Sequence, residues 1–295
     1  MIVSTETGGL GNRIKSWVSA MRLDSDYRVH WPVTANMPAT FEQLFANECA
    51  IETLPAGVAT HKSWRLSVLP EDEPHLPKGF ATVGGGAHPL LRGAGKLWWM
   101  LMGRRTDRYR YMVFPKQHSR RSSRADARHL DLEYGRIPEY FRAVYGAYFG
   151  RIEPLPAIQR RVDEYARGAL HANVIGVQIR TWRDDPRRHR KYHVPAVKRL
   201  AKLLDAAASQ DKFFVVSDSD EIVVELRAAY GESRVLCFDR HTSRNASWQS
   251  VEGISEDLID MLLLARTTRF YASYLSTFSE AAWWLGGAKA DVSVF

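Results

Sequence analysis

The sequence predicts an α/β fold on parallel sheets, divided into two domains. Three observations predict it. From residue 173 onward, short apolar runs alternate with helical patterns. Those runs are continuous rather than alternating, as strands covered on both faces require. The first 31 residues hold a separate strand, glycine turn, helix and strand, a βαβ unit of the kind that opens an α/β domain.

In chain order, Ile2-Val3-Ser4 is the first strand and Gly8-Gly9-Leu10-Gly11-Asn12 the turn, glycine supplying backbone conformations closed to other residues. Ile14, Trp17, Val18 and Met21 recur at helical spacing. Tyr27 to Trp31 alternates as a second strand, closed by Pro32. Residues 50–135 are irregular, with clusters of Pro and Gly. Helical periodicity returns at Pro138–Phe149 and Ile158–Ala169. The strands Val174–Ile179, Phe213–Val216, Val235–Phe238 and Arg269–Ala272 follow. The helices between them are expected at Pro195–Ala208, from Ser217-Asp218-Ser219-Asp220 through Tyr230, and at Ser255–Ala265; a last helix follows Ser276-Thr277-Phe278-Ser279. This is a doubly wound pattern. The expected division is 1–170 and 171–295.

Composition narrows the class. With 295 residues and 45% hydrophobic content the chain can bury a full core, which excludes a disordered chain or a small disulfide scaffold. Cys49 and Cys237 match neither a disulfide framework nor a zinc motif. The net charge is +8, and about three-quarters of the 41 basic residues are Arg, the side chain suited to bidentate phosphate contact. The surplus fits nucleic acid, an anionic membrane or a phosphorylated substrate. No basic-then-apolar leader is visible, so a cytoplasmic protein is expected. The stretch Leu97 to Met102 is far short of the roughly 20 residues that span a bilayer.

Polar residues stand where the buried strands end: Arg180 after the first, Ser217-Asp218 after the second, Ser276-Thr277 after the last. Open α/β sheets bind ligands at those ends. An Arg fork, hydroxyls and a helix N-terminus form a cradle for a diphosphate, and a carboxylate there can accept from a ribose or a base edge. The same Ser and Asp residues would also serve as ordinary helix caps. Arg180 has no such role.

Four motifs then occur in order: Gly8-Gly9-Leu10-Gly11-Asn12-Arg13, Gly176-Val177-Gln178-Ile179-Arg180-Thr181, Val215-Val216-Ser217-Asp218-Ser219 and Ser276-Thr277-Phe278-Ser279. Together they resemble the GDP-fucose-dependent fucosyltransferase superfamily, which includes nodulation, α1,6- and protein O-fucosyltransferases. Trp31-Pro32 through Phe45 is similar to its bacterial members. The resemblance covers the first ~50 residues and most of 173–287, leaving the middle unmatched.

The resemblance implies a GT-B fold: two Rossmann-like domains facing a cleft, the C-terminal one holding the donor. It implies a metal-independent, inverting transfer of fucose or a related sugar from a GDP-sugar to a hydroxyl of a glycan or lipid-linked saccharide, with no cofactor. Arg180 matches the arginine of the family's His-x-Arg motif, which binds the donor β-phosphate, although Gln178 stands where the family has His. Ser276, Thr277, Phe278 and Ser279 match its phosphate-contacting hydroxyl turn, and Asp260 an Asp that reads the guanine edge. Asn12, with Gly9 and Gly11, matches the glycine motif facing the donor.

Asp184, Asp185 and His189, in the loop after Arg180, are candidates for a base taking the acceptor proton, Asp185 foremost. Two alternatives stand beside this reading. Asp218-Ser219-Asp220 spells a D-x-D and would suit a metal-dependent nucleotide-sugar transferase. A non-catalytic nucleotide or nucleic-acid binding α/β protein is the other, with Arg and Tyr residues of the basic segment 104–128 as phosphate contacts and stacking platforms. That segment is expected to be a charged surface, and nucleic acid is not the expected partner. With Trp98 to Met102 beside it, docking on the inner membrane surface is a further expectation.

Overall fold

The computed structural model describes residues 1–62, 66–75, 112–115, 128–131, 134, 137–274 and 276–295. The basic segment 104–128 and the Trp98–Met102 stretch fall almost wholly outside the described residues. Among the described residues, no helix is long and apolar enough to cross a membrane.

The chain forms two compact units. One comprises Met1–Gly8, Asn12–Trp31 and Cys49–Tyr148; the other comprises Gly9–Gly11, Pro32–Glu48 and Phe149–Phe295. In the first, strands β1 (Ile2–Ser4), β2 (Tyr27–His30), β3 (Ala50–Ile51) and β4 (Ala59–His61) make a parallel sheet of order β3-β2-β1-β4. Helix α1 (Leu10–Leu23) connects β1 to β2, and Ile14, Trp17, Val18 and Met21 are buried as their spacing predicts. A second, antiparallel sheet contains β5 (Leu66–Val68), β6 (Met112–Pro115) and β7 (Arg128–Asp131), in the order β5-β7-β6. Arg22 on α1 is buried among Asp72, the Ser67 carbonyl and the Tyr145 ring of α2 (Glu139–Phe149).

The second unit holds a five-stranded parallel sheet, β10-β9-β8-β11-β12, from β8 (Val174–Ile179), β9 (Lys212–Ser217), β10 (Val235–Leu236), β11 (Arg269–Ala272) and β12 (Asp291–Val294). Numbered within the unit, that order is 3-2-1-4-5, a doubly wound sheet with its switch point between β8 and β11. All of β8 is buried, and its side chains alternate between two layers. Ile175, Val177 and Ile179 pack with Ala196, Leu200 and Leu204 of α4 (Val194–Asp205) and Val223 of α5 (Asp220–Tyr230). On the opposite layer, a β-carbon at Gly176 would stand 2.6 Å from the Thr267 hydroxyl and 3.1 Å from Leu264, so a glycine lets α6 (Val251–Leu264) lie against the sheet.

Helix α3 (Pro156–Ala169) packs on α6, and α7 (Thr277–Leu285) packs there too. Phe149 stacks on Trp284 of α7 at 5.5 Å. The 32–48 segment belongs to this unit as well. Phe41, Leu44 and Phe45 are buried, Phe45 bridges to Pro154, and Leu155 N donates to Leu44 O at 3.0 Å.

The alternation and the α/β class are as the sequence predicts. Several boundaries shift by a few residues, as where β10 ends at Leu236 and α4 at Asp205, while the cap of α5 falls within the expected Ser217–Asp220 run. Helix α5 begins at Asp220 with Ser219 as N-cap, and α6 begins at Val251 because the Ser250 hydroxyl accepts from Gly253 N.

Candidate active site

At the switch point β8 and β11 carry their connections away in opposite directions, leaving a crevice beyond their carboxyl ends. Ser273, directly after β11, ties this point together. Its hydroxyl donates to Gln178 O at 3.0 Å and accepts from Arg180 N at 2.8 Å.

The Arg180 side chain emerges here. Its Nη1 lies 2.9 Å from Asp218 Oδ2, and the guanidinium sits over the Trp182 ring, 5.2 Å from the centroid. The other Asp218 oxygen accepts from Thr181 N at 2.8 Å. Asp218, at the end of β9, thus holds both the backbone and the guanidinium of the β8 terminus. The Arg180 side chain remains 44% exposed, so an anion can reach it. Arg188 approaches the same indole at 5.1 Å. Trp182 has φ +55°, the left-handed region that a bulky residue adopts only under constraint.

The chain then turns through Pro186–Arg188 and a π-helical turn, His189–His193. Asp185 is the N-cap of this turn: its carboxylate accepts from Arg188 N at 3.0 Å and pairs with Arg188 Nε at 3.2 Å. The expected base is therefore engaged in capping. Its sequence context, Asp before Pro, is a helix-start signature. His189 behaves differently, its Nδ1 lying 2.7 Å from Thr181 O. The buried His193 ring stacks near it at 4.8 Å, and burial, then His189, pushes the His193 pKa down.

The hydroxyl turn opens α7. Ser276 is the N-cap, accepting from Ser279 N at 3.3 Å; Thr277 and Phe278 are half-buried. Ser279 is fully buried and donates to Gln178 Oε1 at 2.6 Å. Gln178 and Ser279 thus brace β8 against α7, and the Ser279 hydroxyl faces the interior. Gly11 lies against the same turn: a β-carbon there would stand 2.5 Å from Thr277 O and 2.9 Å from Phe278 N. Gly9 has nothing within 4 Å. Asn12 Oδ1 is buried without a hydrogen-bond partner.

Asp260, on α6, is completely buried in an ionic cluster. Arg240, just beyond β10, donates to Asp257 Oδ1 at 2.9 Å and Asp260 Oδ2 at 3.0 Å and lies 3.5 Å from Glu256 Oε2. Burial pushes the Asp260 carboxyl up to about 6 against the pull of Arg240. Its Oδ1 is buried without a hydrogen-bond partner. Burial also raises Asp257, whereas Glu256, buried too, is held below its ordinary value by bonds from Thr242 and the His241 and Thr242 amides. The Arg240 guanidinium is raised because its carboxylates outweigh its burial.

The two carboxylates of the D-x-D are engaged by different arginines: Asp218 by Arg180, and Asp220 by Arg244 at 3.3 Å with Ser243 donating at 2.5 Å. Among the described residues, the group with metal-ligand chemistry in reach is His241, Glu252 and Glu256, within 4.8 Å. Glu256 already accepts from the His241 amide at 2.8 Å, the Thr242 hydroxyl at 2.5 Å and Arg161 at 3.2 Å. Ser217 is buried and accepts from Ser219 N.

Of the predicted residues, Arg180, Asp218, Gln178, Ser276, Thr277, Phe278, Ser279 and Gly11 therefore meet around β8 and α7. Ser217 stays at the β9 end, and Asp260 belongs to the Arg240 cluster. The sequence reading passed over Thr181, Trp182, His193, Ser273 and Arg240. Arg240 had a signal: it follows a strand end, as Arg180 does.

The fold defines a doubly wound α/β protein with a part-exposed arginine and a hydroxyl-bearing helix N-terminus at the switch point. No family model matches the sequence, and no curated protein sequence matches it. Among solved structures the fold is similar to that of the fucosyltransferase NodZ from Bradyrhizobium, with 18% identity, a TM-score of 0.50, and coverage of 95% of this chain and 90% of that one. Lower in similarity are NodZ alpha-1,6-fucosyltransferase soaked with GDP-fucose (16%, TM-score 0.49, coverage 96% and 91%) and a mutant of Arabidopsis thaliana FUT1 in complex with GDP (16%, TM-score 0.46, coverage 99% and 69%).

Proposed function

We propose that this chain is a glycosyltransferase that moves fucose, or a related sugar, from a GDP-sugar to a hydroxyl of a glycan or lipid-linked saccharide. Transfer is metal-independent and inverting, on a GT-B arrangement of two Rossmann-like domains. The observation that carries the reading is the Arg180 guanidinium, held by Asp218 and Trp182 yet open to an anion, at the switch point of a parallel sheet. The fold likeness to NodZ supports it.

Transfer breaks the bond between sugar C1 and a β-phosphate oxygen, and negative charge grows on that oxygen. A preorganised guanidinium there lowers the barrier, a contribution that is often the largest in catalysis. In this reading Ser276, Thr277 and the α7 N-terminus take the diphosphate, with the Phe278 ring and Gly9–Gly11 alongside. The unpaired, buried Oδ1 of Asp260 is assigned to the guanine N–H edge, and the unpaired Asn12 carbonyl oxygen to a further donor contact. Gln178 and Ser279 act by positioning, as does Asp218.

The test is consumption of GDP-fucose, followed as GDP release with water or a panel of oligosaccharides as acceptor. Wild-type protein is expected to release GDP with EDTA present. Arg180→Ala is expected to lose at least 100-fold while keeping the wild-type fold, read from its circular dichroism. Wild-type turnover in Arg180→Ala would contradict the role, and activity lost to EDTA and restored by manganese would favour the metal-dependent alternative.

A further inference from the structure

We propose that His189 is the general base that takes the proton of the acceptor hydroxyl; this rests on the transferase reading above. Three observations carry it. First, the Thr181 carbonyl can only accept, so the His189 nitrogen 2.7 Å from it, Nδ1, must carry the proton. In the neutral ring the other nitrogen, Nε2, holds a lone pair. Second, Nε2 has no hydrogen-bond partner among the described residues and is not among their buried, unsatisfied atoms, so it opens to solvent. Third, one hydrogen-bonded frame fixes His189 and Arg180 together. Thr181 O holds the imidazole, Thr181 N is held by Asp218, and Asp218 holds the Arg180 guanidinium.

Of the loop carboxylates, Asp185 is already engaged. Asp185 caps the turn and pairs with Arg188, and its carbonyl accepts from His189 N at 2.8 Å. The π-helical turn that carries His189 is a rare distortion, frequent at functional sites. The ring neighbour of His189, His193, 4.8 Å away, is acted on by the Arg180 backbone and by Asp218 and Glu225. Asp218 and Glu225 act on His193 as anions, while burial opposes its charging.

The step balances. The acceptor oxygen forms its bond to sugar C1 as its proton passes to His189 Nε2. The bond from C1 to the β-phosphate oxygen breaks, its electron pair leaves with GDP, and Arg180 meets the new charge. The imidazolium returns the proton to solvent.

His189→Asn places an amide N–H near the Nδ1 position, retaining a donor for Thr181 O but no base. With GDP-fucose and water as acceptor, GDP release by this variant is expected to fall 10²- to 10⁴-fold. The acid limb of its pH–rate profile should vanish, and added imidazole should restore part of the rate. Stabilisation by GDP should match wild type. A variant with wild-type turnover and an unchanged profile overturns the proposal and leaves the transferase reading standing. Loss of GDP stabilisation in both His189→Asn and His189→Gln overturns it too, by making the residue structural. If wild-type protein neither binds GDP nor consumes GDP-fucose, both readings fall together.

Discussion

Asp260 shows how burial sets a carboxylate's charge against stability. Its folded pKa of about 6 stands above the 3.8 of a free carboxylate, so the fold binds the proton more tightly than the unfolded chain does. The stability tied to that proton is complete below pH about 3.8 and is lost as pH rises through about 6. Asn cannot titrate, and Arg240 keeps Asp257 and Glu256 as partners. Asp260→Asn is therefore expected to unfold later than wild type near pH 7.5 in urea titrations, with the advantage shrinking toward pH 4. If Oδ1 reads guanine, the same variant should lose most of the stabilisation given by GDP. A variant destabilised at neutral pH would show that the ion pair with Arg240 outweighs the burial cost. At Trp182 the left-handed backbone was not legible, because nothing marks a tryptophan for that region. The capping role of Asp185 was legible in the Asp-Pro pair, since Pro186 marks a helix start.

Elements report their constraints most directly where backbones touch. Gly11 approaches the first turn of α7 so closely that a methyl group meets peptide atoms, which cannot swing aside as a side chain would. Gly11→Ala is expected to cost about 1–3 kcal/mol in urea unfolding, with an unchanged m-value. Gly9→Ala, with open space around it, is the matched control and is expected to change much less. Equal losses in the two would contradict the packing argument. The strand ends were legible because a polar residue closing a buried apolar run is a sharp signal, as at Arg180. Strand β12 was not, since Asp291–Val294 lies at the sheet edge, half-exposed, without such a run. Strands β3 and β4 have two and three residues, too few to show a period.

At the scale of the whole molecule, the +8 surplus acquires a partial address. Arg180 and Arg188 both lie against one indole at the switch point, whereas Arg22, Arg240 and Arg244 are buried with carboxylates or carbonyls and neutralise the protein's own charge. Charge counted from sequence cannot separate these roles, because pairing is decided by the fold. The central claim is that the switch-point arginine serves a guanosine diphosphate. A ligand bound only by the native state raises the unfolding temperature by mass action. Unfolding should therefore be followed with GDP, UDP and ADP at equal concentration, for wild type and Arg180→Ala. The account predicts the largest rise with GDP in wild type and most of that rise lost in Arg180→Ala. An equal or larger rise with UDP or ADP, or a GDP effect indifferent to Arg180, would contradict it.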